Sequence, residues 1–327
     1  MLLKISLLVV GLTILLVLLW VWGTQPLFVE IERQRVPPVS PARLQIHVRT
    51  LSETFFPRDA AHPENLDRAA AYIREEFVQA SGRVSEQPFE IAGRTYRNVL
   101  AWFGPDTRER IVVGAHYDAA GPQPGADDNA SGVAGLIELA YLLREVRLSV
   151  GVELVAFTLE EQPHFRTEMM GSAVHVASLV KHDIPVRVMF SLEMIGYFTD
   201  APQSQRFPFS FFAAFYPSQG NFIALVGNLS QGLVVRSLKK AMQSASPLPV
   251  YSINAPRFVP GVDFSDHRNY WQAGYKAVMV TDTAFYRNPY YHTVQDTANR
   301  LDYERMAMVV QGVYAAVLTA THESGLR

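Results

Sequence analysis

Residues 111–146 read IVVGAHYDAAGPQPGADDNASGVAGLIELAYLLREV. The first five residues are almost wholly apolar, which predicts a buried strand that ends at His116. Residues 131–146 have the apolar spacing of a helix. Between them lies an acidic turn flanked by Gly125 and Gly132, which can adopt the backbone conformations that a tight bend requires. The stretch therefore predicts a strand, a turn that carries carboxylates, and a helix.

The same alternation of strands and helices continues along most of the chain. Apolar runs bounded by turn residues predict strands at residues 83–91, 95–103, 111–115, 152–158, 186–192, 222–226 and 277–281. Apolar residues at helical spacing predict helices near residues 63–78, 131–146, 172–179, 229–245 and 303–318. This order predicts an α/β fold, a three-layer sandwich in which helices flank a central mixed, mostly parallel β-sheet. An aromatic run at residues 207–216 is interpreted as a further core strand, with a wall of the substrate site as the alternative.

The composition limits what the chain can do. Its 327 residues are 49% hydrophobic and 18% charged, which suffices for a large core and excludes intrinsic disorder. Acidic and basic residues are mixed and the formal net charge is -2, so no basic surface for nucleic acid is predicted. Cysteine is absent, which excludes thiolate catalysis, thiolate metal ligation and disulfides. Any metal ligand must therefore be His, Asp or Glu.

The amino terminus is predicted to have a separate role. Residues 5–22 form an uncharged, strongly apolar run of 18 residues, close to the ~20 that a helix needs to cross a bilayer. We interpret residues 1–24 as a transmembrane anchor, residues 25–41 as a proline-rich connector and residues 42–327 as one globular domain. A cleaved signal peptide is the alternative, but its apolar core is usually about 7 to 15 residues and ends at a small-residue cleavage site, which this run lacks.

The flanks of the apolar run bear on its orientation. Lys4 and the terminal amine precede the run, whereas Glu30, Glu32, Arg33 and Arg35 follow it with mixed sign. Basic residues favour the cytoplasmic side of a membrane. The expected localisation is therefore a single-pass membrane protein with its globular domain on the extracytoplasmic side.

Several potential metal ligands follow predicted buried strands, at the edge where open α/β sheets place their sites. The set of five carboxylates and two histidines is His116, Asp118, Asp128, Glu160, Glu161, Glu193 and His292. Singly, Asp128 could cap the following helix, Glu161 could be a loop carboxylate and each histidine could be structural. Together they would be costly to bury unless a metal or partners compensated their charges.

These residue types match the ligands of two adjacent zinc ions and a general base. A tight turn lets Asp128 reach both ions, and the adjacent Glu160 and Glu161 can divide the roles of base and ligand. Asp118, two residues after His116, is placed to hold that imidazole. Zinc polarises a scissile carbonyl and lowers the pKa of water, so no side-chain nucleophile is needed. The chain is therefore predicted to be a metal-dependent hydrolase.

Five sequence blocks, taken in order, resemble the co-catalytic di-zinc aminopeptidase family. They are HYD at 116–118, GADDNASG at 125–132, EE at 160–161, EMIGY at 193–197 and YHTVQDT at 291–297. The family belongs to a superfamily of zinc-dependent exopeptidases that also contains glutamate carboxypeptidases and glutaminyl cyclases. The resemblance spans about residues 45 to 320 and implies that residues 42–327 are a zinc exopeptidase catalytic domain with a peptide substrate.

The resemblance also implies a ligand set for two zinc ions. The ligands would be His116 and Glu193 for one ion, Glu161 and His292 for the other, and Asp128 as the bridge. At position 193 relatives frequently have Asp, and the longer side chain of Glu193 can still bind zinc. The peptide bond between Asp128 and Asn129 would be cis, as in the matching turn of the family.

The remaining implied roles concern catalysis and support. Glu160 would be the general base, and Asp118 would orient His116. Tyr291 would donate a hydrogen bond to the tetrahedral oxyanion, with a packed aromatic as the alternative interpretation. The segment 265–267, Ser-Asp-His, would support the site without ligating metal.

The predicted function is a zinc-dependent aminopeptidase that hydrolyses amino-terminal peptide bonds, with Glu160 accepting the proton of an activated water. A glutaminyl cyclase-like acyltransferase with one zinc is one alternative. A carboxypeptidase is another, and it would need a basic pocket, for which Arg257, Arg268 and Arg287 are candidates. A non-catalytic interaction protein would be expected to lack a ligand or the base, and this sequence retains them all. The sequence makes no prediction of oligomeric state.

Overall fold

Within the residues that a computed structural model of the chain describes, 2–24 and 32–322, eight strands alternate with eight helices. The strands are β1 Arg83–Ile91, β2 Arg94–Phe103, β3 Arg110–His116, β4 Gly151–Phe157, β5 Val186–Glu193, β6 Ile223–Gly227, β7 Val250–Asn254 and β8 Ala277–Thr281. The helices are α1 Leu2–Thr24, α2 Pro41–Arg49, α3 Pro63–Gln79, α4 Gly132–Leu143, α5 Gly171–Lys181, α6 Gly232–Ala245, α7 His267–Gln272 and α8 Tyr303–His322.

The eight strands form one mixed sheet in the order β1-β2-β4-β3-β5-β8-β6-β7. The central strands β4, β3, β5 and β8 are parallel, so their carboxyl ends meet at one edge of the sheet. At the flanks, β2 pairs antiparallel with β4, and β6 pairs antiparallel with β8. The predicted α/β fold with a central mixed sheet is confirmed.

Helices cover both faces of this sheet. α2, α3, α4, α6 and α8 pack on one face, and α5 and α7 pack on the other. β3 shows why both faces must be apolar: Ile111 and Val113 belong to the larger core, whereas Val112 belongs to the smaller core with residues of α5 and α7. Successive strand residues point to opposite faces, so a strand buried on both sides is an apolar run.

Most predicted elements are confirmed, with shifted ends. The helix predicted over residues 229–245 begins only at Gly232, because Asn228 caps a separate short turn before it, its side chain accepting a hydrogen bond from Ser230 N at 3.0 Å. Three observed elements, α2, β7 and α7, are absent from the sequence prediction. Each has nine residues or fewer and is interrupted by polar residues, so neither a continuous apolar run nor a clear period stands out in its sequence.

The aromatic run at residues 207–216 is not a core strand, and that prediction is wrong. The segment is irregular and contains one short 3-10 turn, Ser210–Ala214. Its side chains do not alternate between exposed and buried, since residues 209–211 and 213–215 are all exposed and only Phe212 between them is buried. The sheet position beside β6 is taken by β7, which comes later in the chain. β6 therefore has no free edge to which the aromatic run could add as a strand.

The described residues contain no helix that is both long enough and apolar enough to cross a membrane. Within α1, side chains are described for residues 4–19. The side chains of the last three residues of the predicted span, 20–22, therefore lie outside the described part of the structure. Of the predicted connector, residues 25–31 also lie outside the described residues. The rest of the connector lies against the domain, where Gln311 Nε2 donates to Pro37 O at 3.1 Å and Val39 is buried.

Candidate metal centre

The predicted ligands converge at the carboxyl edge of the parallel strands. His116 ends β3 and Glu193 ends β5, while Glu160 and Glu161 lie three and four residues after the end of β4 and His292 lies in the loop after β8. Because these four strands are neighbours in the sheet, residues far apart in sequence meet at this edge.

Asp128 lies between the two histidines. Its Oδ1 atom is 3.4 Å from Nε2 of His116, and its Oδ2 atom is 3.0 Å from Nε2 of His292. Glu193 Oε2 lies 3.5 Å from His116 Nε2, and Glu161 Oε1 lies 3.1 Å from His292 Nε2. The structure thus forms two three-residue groups that share Asp128, each with potential ligand atoms within 4.8 Å of one another. We call these five residues the metal cluster.

The donors of the metal cluster fit zinc. His116 is fully buried, yet its Nε2 atom has no hydrogen-bond partner and faces the carboxylates of Asp128 and Glu193. Imidazole nitrogens and carboxylate oxygens are the usual ligands of catalytic zinc. A divalent cation between these groups would satisfy the unpaired nitrogen and offset the repulsion among the carboxylates.

Burial and mutual repulsion make several of these carboxylates hard to ionise on their own. Burial raises the pKa of Glu160 well above its ordinary value, and the charge of Glu161 raises it further. Burial and the charge of Asp128 raise the pKa of Glu161 to about 7. For Asp128 itself, burial would raise the pKa, but the adjacent imidazoles of His116 and His292 hold it below its usual range.

The histidines show the complementary effect. Burial lowers the pKa of His292, but hydrogen bonds with Asp128 and Glu161 outweigh burial and raise it to about 10. For His116, burial also lowers the pKa, but the nearby carboxylates of Glu193, Asp118 and Asp128 outweigh burial and raise it well above its ordinary value. Metal ligation requires neutral imidazoles, so a bound cation would replace these protons.

Asp118 positions more than one member of the site. Its carboxylate accepts hydrogen bonds from the backbone N–H groups of Glu160 and Glu161, at 3.1 and 3.0 Å. Its Oδ1 atom lies 3.5 Å from Nδ1 of His116, and its backbone oxygen lies 3.2 Å from the same nitrogen. Asp118 therefore orients the imidazole and also fixes the backbone that carries both glutamates.

The turn that carries Asp128 is held by side chains from distant parts of the sequence. The Asp296 carboxylate accepts hydrogen bonds from the backbone N–H groups of Asp127 and Asp128, at 3.0 and 3.1 Å. The Asn129 side chain donates to the Leu192 carbonyl at 2.8 Å, which ties the turn to β5. The peptide bond between Asp128 and Asn129 is cis, as the family resemblance implies.

Gly125 is required at the entry of this turn. It has φ +56°, and a Cβ atom there would lie only 2.3 Å from Asp128 O.

Arg58 is a supporting residue that the sequence analysis missed. It is fully buried, and its guanidinium donates to four backbone carbonyls at 2.7–2.9 Å, those of Leu51, Tyr117, Pro124 and Gly125. Burial lowers its pKa to about 10, although nearby carboxylates such as Asp118 oppose this shift. No motif marks a lone arginine whose partners are loop carbonyls, because any residue type supplies a carbonyl.

The segment 265–267 lies beside the metal cluster. Ser265 Oγ donates to Glu193 Oε2 at 2.6 Å. His267 Nε2 lies 2.8 Å from Val262 O and is outside both three-residue groups. Burial lowers the pKa of His267 to about 4, so this imidazole is neutral. Its contacts are those of a packed structural histidine.

A largely apolar cavity of about 120 Å³ adjoins the metal cluster, and Glu193 and Tyr291 are part of its wall. The aromatic run that was predicted as a strand supplies Phe207, Phe212 and Tyr216. The Tyr291 ring stacks on the His292 imidazole, with 3.8 Å between ring centroids. Burial raises the pKa of Tyr291, so its phenol stays a hydrogen-bond donor.

The three arginines considered for a carboxylate-binding pocket do not line this cavity. Arg287 is buried and donates to Phe222 O at 2.7 Å. Arg268 pairs with the Asp263 carboxylate, and the guanidinium carbon of Arg257 lies 5.8 Å from the ring centroid of Trp271.

Comparison with known proteins identifies relatives in sequence. Residues 98–317 match the model of peptidase family M28. The chain is 50% identical over 282 residues to the uncharacterised protein YfbL of Escherichia coli, covering 84% of this chain and 86% of that protein. It is 25% identical over 221 residues to a probable leucine aminopeptidase of Trichophyton verrucosum, covering 64% of this chain. The chain spans only about half of that fungal protein, 53%.

Solved structures share the fold. A zinc aminopeptidase from Bacillus subtilis, BSAP, aligns with a TM-score of 0.69 at 17% identity, covering 86% of this chain and 95% of that one. A glutaminyl cyclase from Bacteroides thetaiotaomicron aligns with a TM-score of 0.65 at 18% identity, covering 86% of this chain and 99% of that one.

Proposed function

The chain belongs to peptidase family M28, and on that premise we propose that it is a di-zinc aminopeptidase. The observation that carries the proposal is the position of Asp128, which directs one carboxylate oxygen to His116 at 3.4 Å and the other to His292 at 3.0 Å. Asp128 would bridge two zinc ions, with Glu193 completing the first group and Glu161 the second.

Glu160 is the proposed general base. When bound, the zinc ions polarise the scissile carbonyl and lower the pKa of water. Glu160 belongs to neither three-residue group, and its Oε2 atom lies 4.0 Å from His116 Nε2. Its carboxylate is therefore free to accept a proton from water and to pass it to the leaving amine. Asp118, which holds the backbone N–H of Glu160, keeps this carboxylate in place.

Tyr291 is the proposed donor to the tetrahedral oxyanion. Its neutral phenol lines the cavity beside the metal cluster, and its ring is fixed by stacking on His292. A donor held in this way need not reorganise when charge develops on the substrate oxygen, which is how such groups stabilise a transition state.

The cavity supports a preference for peptides whose first residue is large and apolar. Its aromatic and aliphatic walls would take the side chain, while the α-amine and scissile bond would lie at the Glu193 end, next to the metal cluster. The naming of a curated relative as a probable leucine aminopeptidase agrees with this preference.

Glutaminyl cyclase-like acyl transfer is the second candidate, since a glutaminyl cyclase shares the fold. In that reaction the α-amine of an amino-terminal glutamine attacks its own side-chain amide and releases ammonia. The presence of both histidines around Asp128 favours two metal ions and hydrolysis over a one-zinc cyclase.

One assay series tests the function. Full-length protein is stripped with a chelator, titrated with Zn²⁺ and assayed on a leucyl peptide with a free amine, on its N-acetylated form, on its C-amidated form and on a glutaminyl peptide. We expect activity to return fully only after the second equivalent, with cleavage of the free and C-amidated leucyl peptides. Cleavage of the N-acetylated peptide, or pyroglutamate as the sole product, would contradict the proposal.

We further propose that residues 5–22 anchor the protein, with the catalytic domain outside the cytoplasm. The support is the uncharged apolar sequence of this run and the exposure of its described side chains. Retention in membranes after alkaline extraction, with protease access to the domain in spheroplasts, is the expected result. Recovery in the soluble fraction, or protection of the domain, would contradict it.

A further inference from the structure

The aromatic segment, residues 207–216, has an outer surface that the proposed reaction does not use. Phe209, Phe211 and Phe215 are 41%, 57% and 44% exposed. The rings of Phe209 and Phe211 stack with centroids 5.8 Å apart, so they form one continuous apolar surface. The chain has no charged residue from 207 to 235. Clustered exposed aromatic residues of this kind indicate an interaction surface.

Residues 33–34, which follow the amino-terminal helix in the chain, are hydrogen-bonded to the domain near this surface. Arg33 donates to Gln243 O at 3.2 Å, and Gln34 N donates to Ser244 O at 3.0 Å, both at the end of α6. Gln243 Nε2 in turn donates to Val250 O at 3.2 Å. The attachment point therefore lies at the start of the edge strand β7.

β7 also holds the aromatic segment. Tyr216 donates its hydroxyl hydrogen to Ser252 O at 2.8 Å, and its ring meets Tyr251 edge-on with centroids 6.1 Å apart. α1 lies beside α6 and β7. Eight residues, 25–32, lie between the end of α1 and the attached Arg33, and even fully extended they span only about 30 Å. A bilayer that held the anchor would be within reach of the aromatic segment.

We propose that the outer face of the aromatic segment contacts the surface of the lipid bilayer in which the amino-terminal helix is anchored. This inference rests on the proposed anchor. A segment without charged side chains that exposes three phenylalanines forms an apolar patch of the kind that marks membrane interaction sites. A peptide substrate would instead occupy the inner face of the segment, where Phe207, Phe212 and Tyr216 line the cavity. One segment would thus form the cavity wall and meet the membrane.

The absence of cysteine allows a direct test with single labels. Phe209→Cys and Phe211→Cys are each labelled with a nitroxide in the full-length protein and mixed with phosphatidylcholine–phosphatidylglycerol vesicles. Phe56→Cys, between α2 and α3, is the matched control because Phe56 is 42% exposed. The readout is the ratio of collision rates with oxygen, which partitions into lipid, and with a water-soluble nickel complex. We expect this ratio to rise several-fold on adding vesicles at 209 and 211 and to stay unchanged at 56.

Equal ratios at all three labels would overturn the proposal, whether or not the protein floats with the vesicles. Protection of the label at 211 by an apolar peptide in place of lipid would also overturn it, because the surface would then belong to substrate binding. Zinc content and peptide hydrolysis are measured on the same samples. A failure of the proposed peptidase function would appear in those two measurements and would leave the label ratios unaffected.

Discussion

The metal cluster and the aromatic segment both contribute to the wall of one cavity, but only the cluster has the arrangement that the sequence indicates. The sequence analysis names all five residues of the cluster, and the structure brings them together around Asp128. For residues 207–216 it predicts a core strand, and the structure has a cavity wall with an exposed outer face. Ligand chemistry restricts a position to His, Asp or Glu, whereas an aromatic side chain suits a strand, a cavity wall or a membrane surface equally well.

The largest effect on catalysis is expected from a substitution of Glu160, beside the metal cluster. Glu160→Gln keeps the shape of the side chain but removes the proton acceptor, so kcat should fall by about 10²–10⁴-fold, the usual contribution of a general base. Zinc content should not change, because Glu160 is outside both three-residue groups. Steady-state kinetics with metal analysis measures both quantities. Glu168→Gln, an exposed carboxylate on the same loop, is the control, and near-normal turnover of Glu160→Gln would rule out its assignment as the base.

Tyr291→Phe tests the role of the hydroxyl that lies between the metal cluster and the cavity. Loss of the hydroxyl removes one donor to the developing oxyanion, so kcat should fall by about 10²-fold while KM changes little. Tyr290→Phe is a matched control, since Tyr290 does not line the cavity. If kcat is unaffected by Tyr291→Phe, the residue is only a packed aromatic.

Asp118→Asn tests whether Asp118 holds the ligands of the metal cluster in place. The amide keeps one acceptor but weakens the support of His116 and of the two glutamate N–H groups, so zinc affinity should drop about 10–100-fold. Competition with a chelator measures the affinity, and the exposed Asp106→Asn serves as the control. Unchanged affinity would show that Asp118 does not support the metal cluster.

The smallest effect on catalysis is expected from a substitution in the aromatic segment. Phe207→Ala removes one aromatic wall of the cavity, so kcat/KM for a peptide with a large apolar first residue should fall about tenfold. The value for an alanyl peptide should change much less, because alanine does not reach that wall. Phe258→Ala, 80% exposed and outside the cavity lining, is the control. Equal losses on both peptides would show that the cavity does not select the side chain.

Much of the fold was predictable because the central strands are buried on both faces. The runs at 111–115, 186–192 and 277–281 are mostly apolar and are buried along their whole length, and the helices between them show a regular period. β7 was not predictable, since Ser252 and Asn254 interrupt its apolar pattern, unlike those of the equally short β6 and β8, and it pairs with β6 only through a connection that contains α6. Its place in the sheet depends on long-range packing, which a local period does not record.

Of the residues that hold the metal cluster in place, some were predictable from the sequence and others were not. Asp118 was predictable because it lies two residues from His116 within one motif. Arg58 and the hydrogen bonds of Asp296 were not, because they depend on tertiary contacts with backbone groups at other points of the chain. A motif reveals residues that share a chemical task, and it omits residues that only hold the backbone.

Crystallographic anomalous scattering measured on both sides of the zinc absorption edge, on protein purified with Zn²⁺, tests the central claim most directly. The account predicts two peaks, one among His116, Asp128 and Glu193 and the other among Asp128, Glu161 and His292. A single peak, or two peaks that do not share Asp128, would contradict a bridged pair of zinc ions.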